Sequence, residues 1–93
     1  MDVKWLKRAL KNLDAEATYI AKDSVTSAQQ VVSKIYHSVE LLKKFPSLGR
    51  PGRIHGTREL IIPDLPYSIP YRVQHECVEV LRVFHTSRKW KGK

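Results

Sequence analysis

Three short runs of β-branched, aromatic and aliphatic residues fill the last third of the chain and limit what it can fold into. They are Arg58-Glu59-Leu60-Ile61-Ile62, Tyr67 to Val73, and Val78 to His85. Pro63-Asp64-Leu65-Pro66 separates the first two, and Gln74-His75-Glu76 separates the last two. Runs of this kind, broken by turn residues at this spacing, predict a three-stranded antiparallel meander. Pro70 interrupts the middle run. It has no N–H to give to a ladder, so an edge or a bulge is expected there.

Upstream the period changes. Val3-Lys4-Trp5 fits a short strand, and then Leu6, Ala9, Leu10, Leu13, Ala17 and Ile20 recur at three- and four-residue steps. That stripe predicts a helix ending near Lys22. A second stripe runs through Ala28, Val31, Val32, Ile35, Val39, Leu42 and Phe45, with Thr26 and Gln29 spaced as a capping box at its start and Pro46 as its stop. Two amphipathic helices joined by a few residues make a hairpin whose apolar faces need cover, and the sheet is the available cover. Leu10, Leu13, Ile20, Ile35, Val39 and Leu42 are expected to meet Ile61, Tyr71 and Val83. Residues 46–56, rich in proline and glycine, read as a loop. The expected fold is α+β, in the order β-α-α-β-β-β, with the long helical hairpin packed on a twisted, mainly antiparallel sheet. The 93 residues form one domain.

Charge narrows the function. Lys and Arg number 17 against 9 acids, a net charge of +8. The charge is clustered: Lys43, Lys44, Arg50, Arg53 and Arg58 occupy a stretch with no acid, as do Arg82, Arg88, Lys89, Lys91 and Lys93. A field of this sign attracts nucleic acid or an acidic protein. The lone Cys77 cannot form an internal disulfide, and lysines and arginines break up the first apolar residues. These features predict a cytoplasmic protein with no leader and no membrane contact. Cys77, His37, His55, His75 and His85 lack metal-site spacing, and Gly49 and Gly52 read as turn glycines rather than a phosphate loop. No metal or cofactor is expected.

Several side chains could carry chemistry. His85, directly after a strand run, could act as a general acid or base, or could simply cap a strand end. Alternation groups Arg72 with Ser68 and Pro70, pointing out of the open face if Tyr71 points in. There it either faces phosphate or pairs with Glu59 or Glu79. Trp5 and Trp90 either stack on bases or tie down the chain ends.

The ordered set of Val3-Lys4-Trp5, Tyr19-Ile20-Ala21, Pro46 with Gly49-Arg50, Gly56 to Leu60, Pro66-Tyr67 through Tyr71-Arg72-Val73, and Val80 to His85 with Arg88 resembles the RelE/ParE superfamily of toxins from bacterial type II toxin–antitoxin modules. The resemblance spans the chain. It implies a toxin held inactive by a cognate antitoxin with an acidic, partly disordered segment. It implies one of two targets. ParE-like members block DNA gyrase and do no chemistry of their own. RelE-like members are metal-independent endoribonucleases that cut mRNA on the ribosome. The long hairpin, and the absence of a tyrosine after the last strand, lean toward ParE. Under the ribonuclease reading, Arg58, Arg72, His85 and Arg88 are the candidate catalytic residues. Under either, Arg50, Arg53, Arg82, Arg88, Lys89, Trp90 and Lys91 are candidates for target binding. The alternative outside the toxin class is a small basic nucleic-acid-binding module.

Overall fold

The computed structural model describes residues 1–87; Arg88, Lys89, Trp90 and Lys91 lie outside the described residues. The elements are β1 (Asp2–Trp5), α1 (Lys7–Ala21), α2 (Val25–Glu40) running into a 3₁₀ turn (Leu41–Lys43), β2 (Arg50–Pro51), β3 (Arg58–Ile61), β4 (Tyr67–Gln74), β5 (Cys77–Val80) and β6 (Phe84–His85). The two helices pack on one face of a mixed, mainly antiparallel sheet of order β1-β5-β4-β3-β2, with β6 also paired to β4. The α+β class and the helical hairpin expected from the sequence are therefore present.

Helix α1 runs where its apolar stripe places it. Helix α2 begins at Ser24, not at the Thr26–Gln29 box. Asp23 and Ser24 both donate to the Ile20 carbonyl, which turns the chain tightly at the end of α1. Ser24 is then the first extended residue, and its Oγ accepts from the Ser27 N–H at 3.0 Å. At the other end α2 tightens into the 3₁₀ turn. The change of pitch rotates later residues off the stripe: Leu42 is fully buried, but Phe45 is 57% exposed.

The sheet's inner face follows from register. Leu60 opposes Ile69, Arg58 opposes Tyr71, Tyr71 opposes Val80, and Val78 opposes Val73 on one side and Val3 on the other. These rows meet Ala9, Leu13, Ile35, Val39 and Leu42 in the core. Two residues expected in that core are not there. Ile61 opposes Ser68 on the outer face and is 44% exposed, while its neighbours Leu60 and Ile62 are buried. Leu10 flanks the stripe of α1 and is 43% exposed. Ile20 is only half-buried.

The last apolar run is two strands, not one. Leu81 donates to the Pro70 carbonyl, but Pro70 has no N–H to return, and the ladder opens there. Val83 then donates to Asn12 Oδ1 on α1 at 3.1 Å. Pairing resumes with Ser68 opposite Phe84 and Tyr67 opposite His85. Pro70 thus sits in a central strand and marks an interruption, not an edge. The loop expected at 46–56 contains β2, which pairs with Arg58 and Glu59 of β3. At the N-terminus β1 runs parallel to β5, and the Trp5 ring lies 4.8 Å from that of Tyr36. Trp5 thereby ties the end of β1 to α2.

Candidate functional site

Arg50, Arg58 and Arg72 are placed by the strands that carry them. Arg72, on the outer face of β4, lies opposite Glu79 of β5, and its Nε donates to Glu79 Oε1 at 2.6 Å. On the other side of Glu79 stands Lys4 of β1. The salt bridge to Glu79, one of the two readings open for Arg72, is therefore formed. Arg58, on the inner face of β3, donates to the Gly49 carbonyl at 2.7 Å and the Ser47 carbonyl at 3.3 Å. Arg50 pairs loosely with Glu59 at 3.4 Å. Arg53 stands exposed at the tip of the β2–β3 hairpin, which Gly52 closes by donating to the Thr57 carbonyl.

Arg58 and Arg72 border one shallow cleft of about 260 Å³, with Pro51, Gly56, Thr57 and Val73. His85 does not join them. It opposes Tyr67, five residues from Arg72 along β4, roughly 17 Å at the usual strand rise. Its ring meets Tyr67 edge-on at 5.2 Å, and its Nδ1 accepts from the Ser87 N–H at 3.2 Å. That bond puts the proton of the neutral ring on Nε2. Tyr67 in turn donates to Glu16 Oε1 at 3.0 Å. The structure thus gathers two of the candidate catalytic residues at one end of β4 and holds the third at the other. Arg88 lies outside the described residues, as do Lys89, Trp90 and Lys91 among the candidates for target binding.

Arg82 occupies the gap between β5 and β6, half-buried, with its guanidinium 5.8 Å from the centre of the Phe84 ring. Burial first, and then the charge of Arg8, press it below its ordinary pKa. The sequence alone does not single out Arg8. The one signal it offers is the first turn of α1, which carries no acid where acids are favoured.

Sequence reasoning also misses an apolar groove of about 330 Å³ between the end of α2 and the outer edge of β3. Leu41, Leu48, Ile61 and Pro63 line it, with Arg50 and Glu59 at one side. Leu41 and Leu48 are each about half exposed. Because β2 pairs only with Arg58 and Glu59, the outer edge of Leu60 and Ile61 has no strand beside it among the described residues. Exposed apolar side chains beside a free strand edge are the makings of a protein interface. Among the described residues no cluster of His, Cys, Asp or Glu could hold a metal ion, and no helix is long and apolar enough to cross a membrane.

Comparison with known proteins agrees with this architecture. The family model described as the ParE toxin of the type II toxin–antitoxin system parDE matches residues 3–90. The Sinorhizobium fredii protein Y4kP, which carries a toxin designation, is 46% identical over 88 residues, spanning 95% of this chain and 91% of its own length. Toxin RelE2 of Caulobacter vibrioides is 30% identical over 86 residues, spanning 92% of this chain and 96% of its own. A chain from the chromosomal ParDE toxin–antitoxin system of P. aeruginosa superposes with a TM-score of 0.85 at 29% identity, over 94% of this chain and 97% of that one. This chain, matched over nearly its whole length by sequence and by structure, belongs to the ParE toxin family of type II toxin–antitoxin systems.

Proposed function

We propose that this toxin arrests growth by binding DNA gyrase, not by cutting mRNA, and that its antitoxin silences it by covering the apolar groove beside β3. The observation that carries the choice of target is the state of the cations. Metal-free RNA cleavage needs free cations to stabilise the charged phosphorane, and a base within reach of the 2′-hydroxyl. Here Arg58 is held by two loop carbonyls and Arg72 by Glu79, and His85 stands roughly 17 Å along the strand. An inhibitor that works by occupying a surface needs none of that convergence. It needs anchors on a surface, and we assign that part to Arg50, Arg53 and Arg82 together with Arg88, Lys89, Trp90 and Lys91.

The antitoxin partner follows from the family. The net charge of +8 favours an acidic segment, and Leu41, Leu48 and Ile61 offer it apolar seats. Such a segment can add to the free edge of β3, folding as it binds. The compartment implied by this partnership is the cytoplasm.

The ribonuclease remains the second reading because Arg58 and Arg72 share a cleft and a relative carries the name RelE2. Purified toxin added to a gyrase supercoiling reaction, and in parallel to ribosomes translating a defined mRNA, separates the two. The proposal expects blocked supercoiling and uncut message. Site-specific cleavage lost in Arg72→Ala or His85→Ala would establish the second reading instead.

A further inference from the structure

Arg8 and Arg82 come near one another where the first turns of α1 touch the gap between β5 and β6. The Leu6 N–H donates to the Val80 carbonyl at 3.1 Å, and Asn12 Oδ1 accepts from the Val83 N–H at 3.1 Å. These bonds pin α1 to the chain on both sides of Arg82. Arg8 is one helical turn before Asn12 and on the same flank of α1, so the pinning brings it beside Arg82. The electrostatics agree, since the Arg8 charge is felt at Arg82. The ion pairs formed among the described residues are Lys34–Asp64, Lys43–Glu40, Arg50–Glu59 and Arg72–Glu79, and neither arginine takes part in them. Lys7 adds a third cation to the same turn, and the first acid on α1 is Asp14.

Two like charges repel, and partial burial of one of them adds a desolvation cost. A partner that brings a carboxylate removes both penalties at once. Two guanidiniums can hold one carboxylate through several charge-assisted bonds. A nucleic-acid strand would ask for a row of cations along its phosphates. The neighbours of Arg82 in the gap are Leu81 and Val83, which are apolar.

We propose that Arg8 and Arg82 together form a receptor for a single Asp or Glu side chain of the antitoxin. The proposal rests on the toxin–antitoxin reading. It also gives the antitoxin a second means of silencing, because a carboxylate on Arg82 removes one of the anchors assigned above to the target.

The test titrates the toxin with the purified product of the gene adjacent to its own, using wild type, Arg8→Gln, Arg82→Gln and the double variant. Each single variant should bind roughly 10- to 100-fold more weakly, and the double variant little worse than either, since both arginines serve one carboxylate. The melting temperature of free Arg8→Gln should be unchanged or higher, because the change removes repulsion; a purely structural arginine would lower it. Affinities within about twofold of wild type for both single variants would overturn the proposal. So would a loss confined to binding of a short single-stranded RNA, which would assign the pair to nucleic acid. Failure of the wild type itself to bind the adjacent gene product would overturn the toxin–antitoxin reading, and the proposal with it.

Discussion

Arg58 and Tyr71 face one another across the β3–β4 ladder, and both reach beyond the sheet to the same loop. The Tyr71 hydroxyl donates to the Pro46 carbonyl at 2.7 Å and accepts from the Gly49 N–H at 2.8 Å. Arg58 takes the Gly49 and Ser47 carbonyls. One cross-strand pair therefore fixes the turn that carries the chain from the helices to β2. The same turn supplies Leu48 and Gly49 to the apolar groove, so the pair that holds the loop also shapes the proposed antitoxin seat.

Tyr71→Phe should cost about 1–3 kcal/mol near neutral pH, because it leaves a buried N–H and a carbonyl without their partner. The cost should shrink with alkalinity. Burial raises the Tyr71 pKa from its usual 10.0, outweighing the Gly49 N–H and the Arg58 charge, which lower it. The folded state thus favours the protonated phenol. Its contribution is complete below the unfolded value and is lost as pH rises through the folded one. Urea unfolding of both proteins, from neutrality to roughly pH 11, should show their stabilities converging. A gap that stays constant would mean the hydroxyl is not held as described.

The core is tested by two leucines on one helix. Leu13, nearly inaccessible, should lose about 2–5 kcal/mol on replacement by alanine. Leu10, 43% exposed, should lose far less under the same change. Equal losses in thermal melts would show that α1 is rotated about its axis, with Leu10 turned into the core beside Leu13.

Much of this is legible in the chain, and the exceptions have physical causes. Both helices follow from period-3.6 stripes, and the meander from period-2 runs between turns. A stripe predicts which side of a helix is buried but not where its rim falls, so Leu10 reads as core in the sequence and stands at the rim in the fold. Adjacent Leu60, Ile61 and Ile62 are equally apolar, and register alone decides that Ile61 faces outward. The groove depends on Leu41 and Leu48 meeting Ile61 from distant parts of the chain. The Arg8–Arg82 seam depends on hydrogen bonds between α1 and the strand gap, for which no local pattern exists.

The start of α2 offers another contrast. Ser24→Ala should destabilise by about 0.5–2 kcal/mol, the usual value of an N-cap hydroxyl. Thr26→Ala, inside the first turn and exposed, should change stability little. If chemical denaturation gave the larger loss at Thr26, the capping box would be the true start of the helix.

The β4–β5 turn holds a removable strain. His75 and Glu76 both have positive φ, 53° and 58°, which suits asparagine and glycine far better than the residues present. Exchanging the pair for Asn-Gly should raise the melting temperature, by an amount corresponding to about 1 kcal/mol or more. A fall in melting temperature would indicate that one of these side chains makes a stabilising contact.

The choice of target is tested most directly by gyrase supercoiling with purified toxin, measured beside translation of a defined mRNA on ribosomes. Wild type and His85→Ala should both inhibit supercoiling, and joint charge reversal at Arg88, Lys89 and Lys91 should weaken the inhibition. The mRNA should stay intact throughout. Unimpaired supercoiling together with ribosome-dependent cuts that vanish in His85→Ala or Arg72→Ala would contradict the gyrase reading.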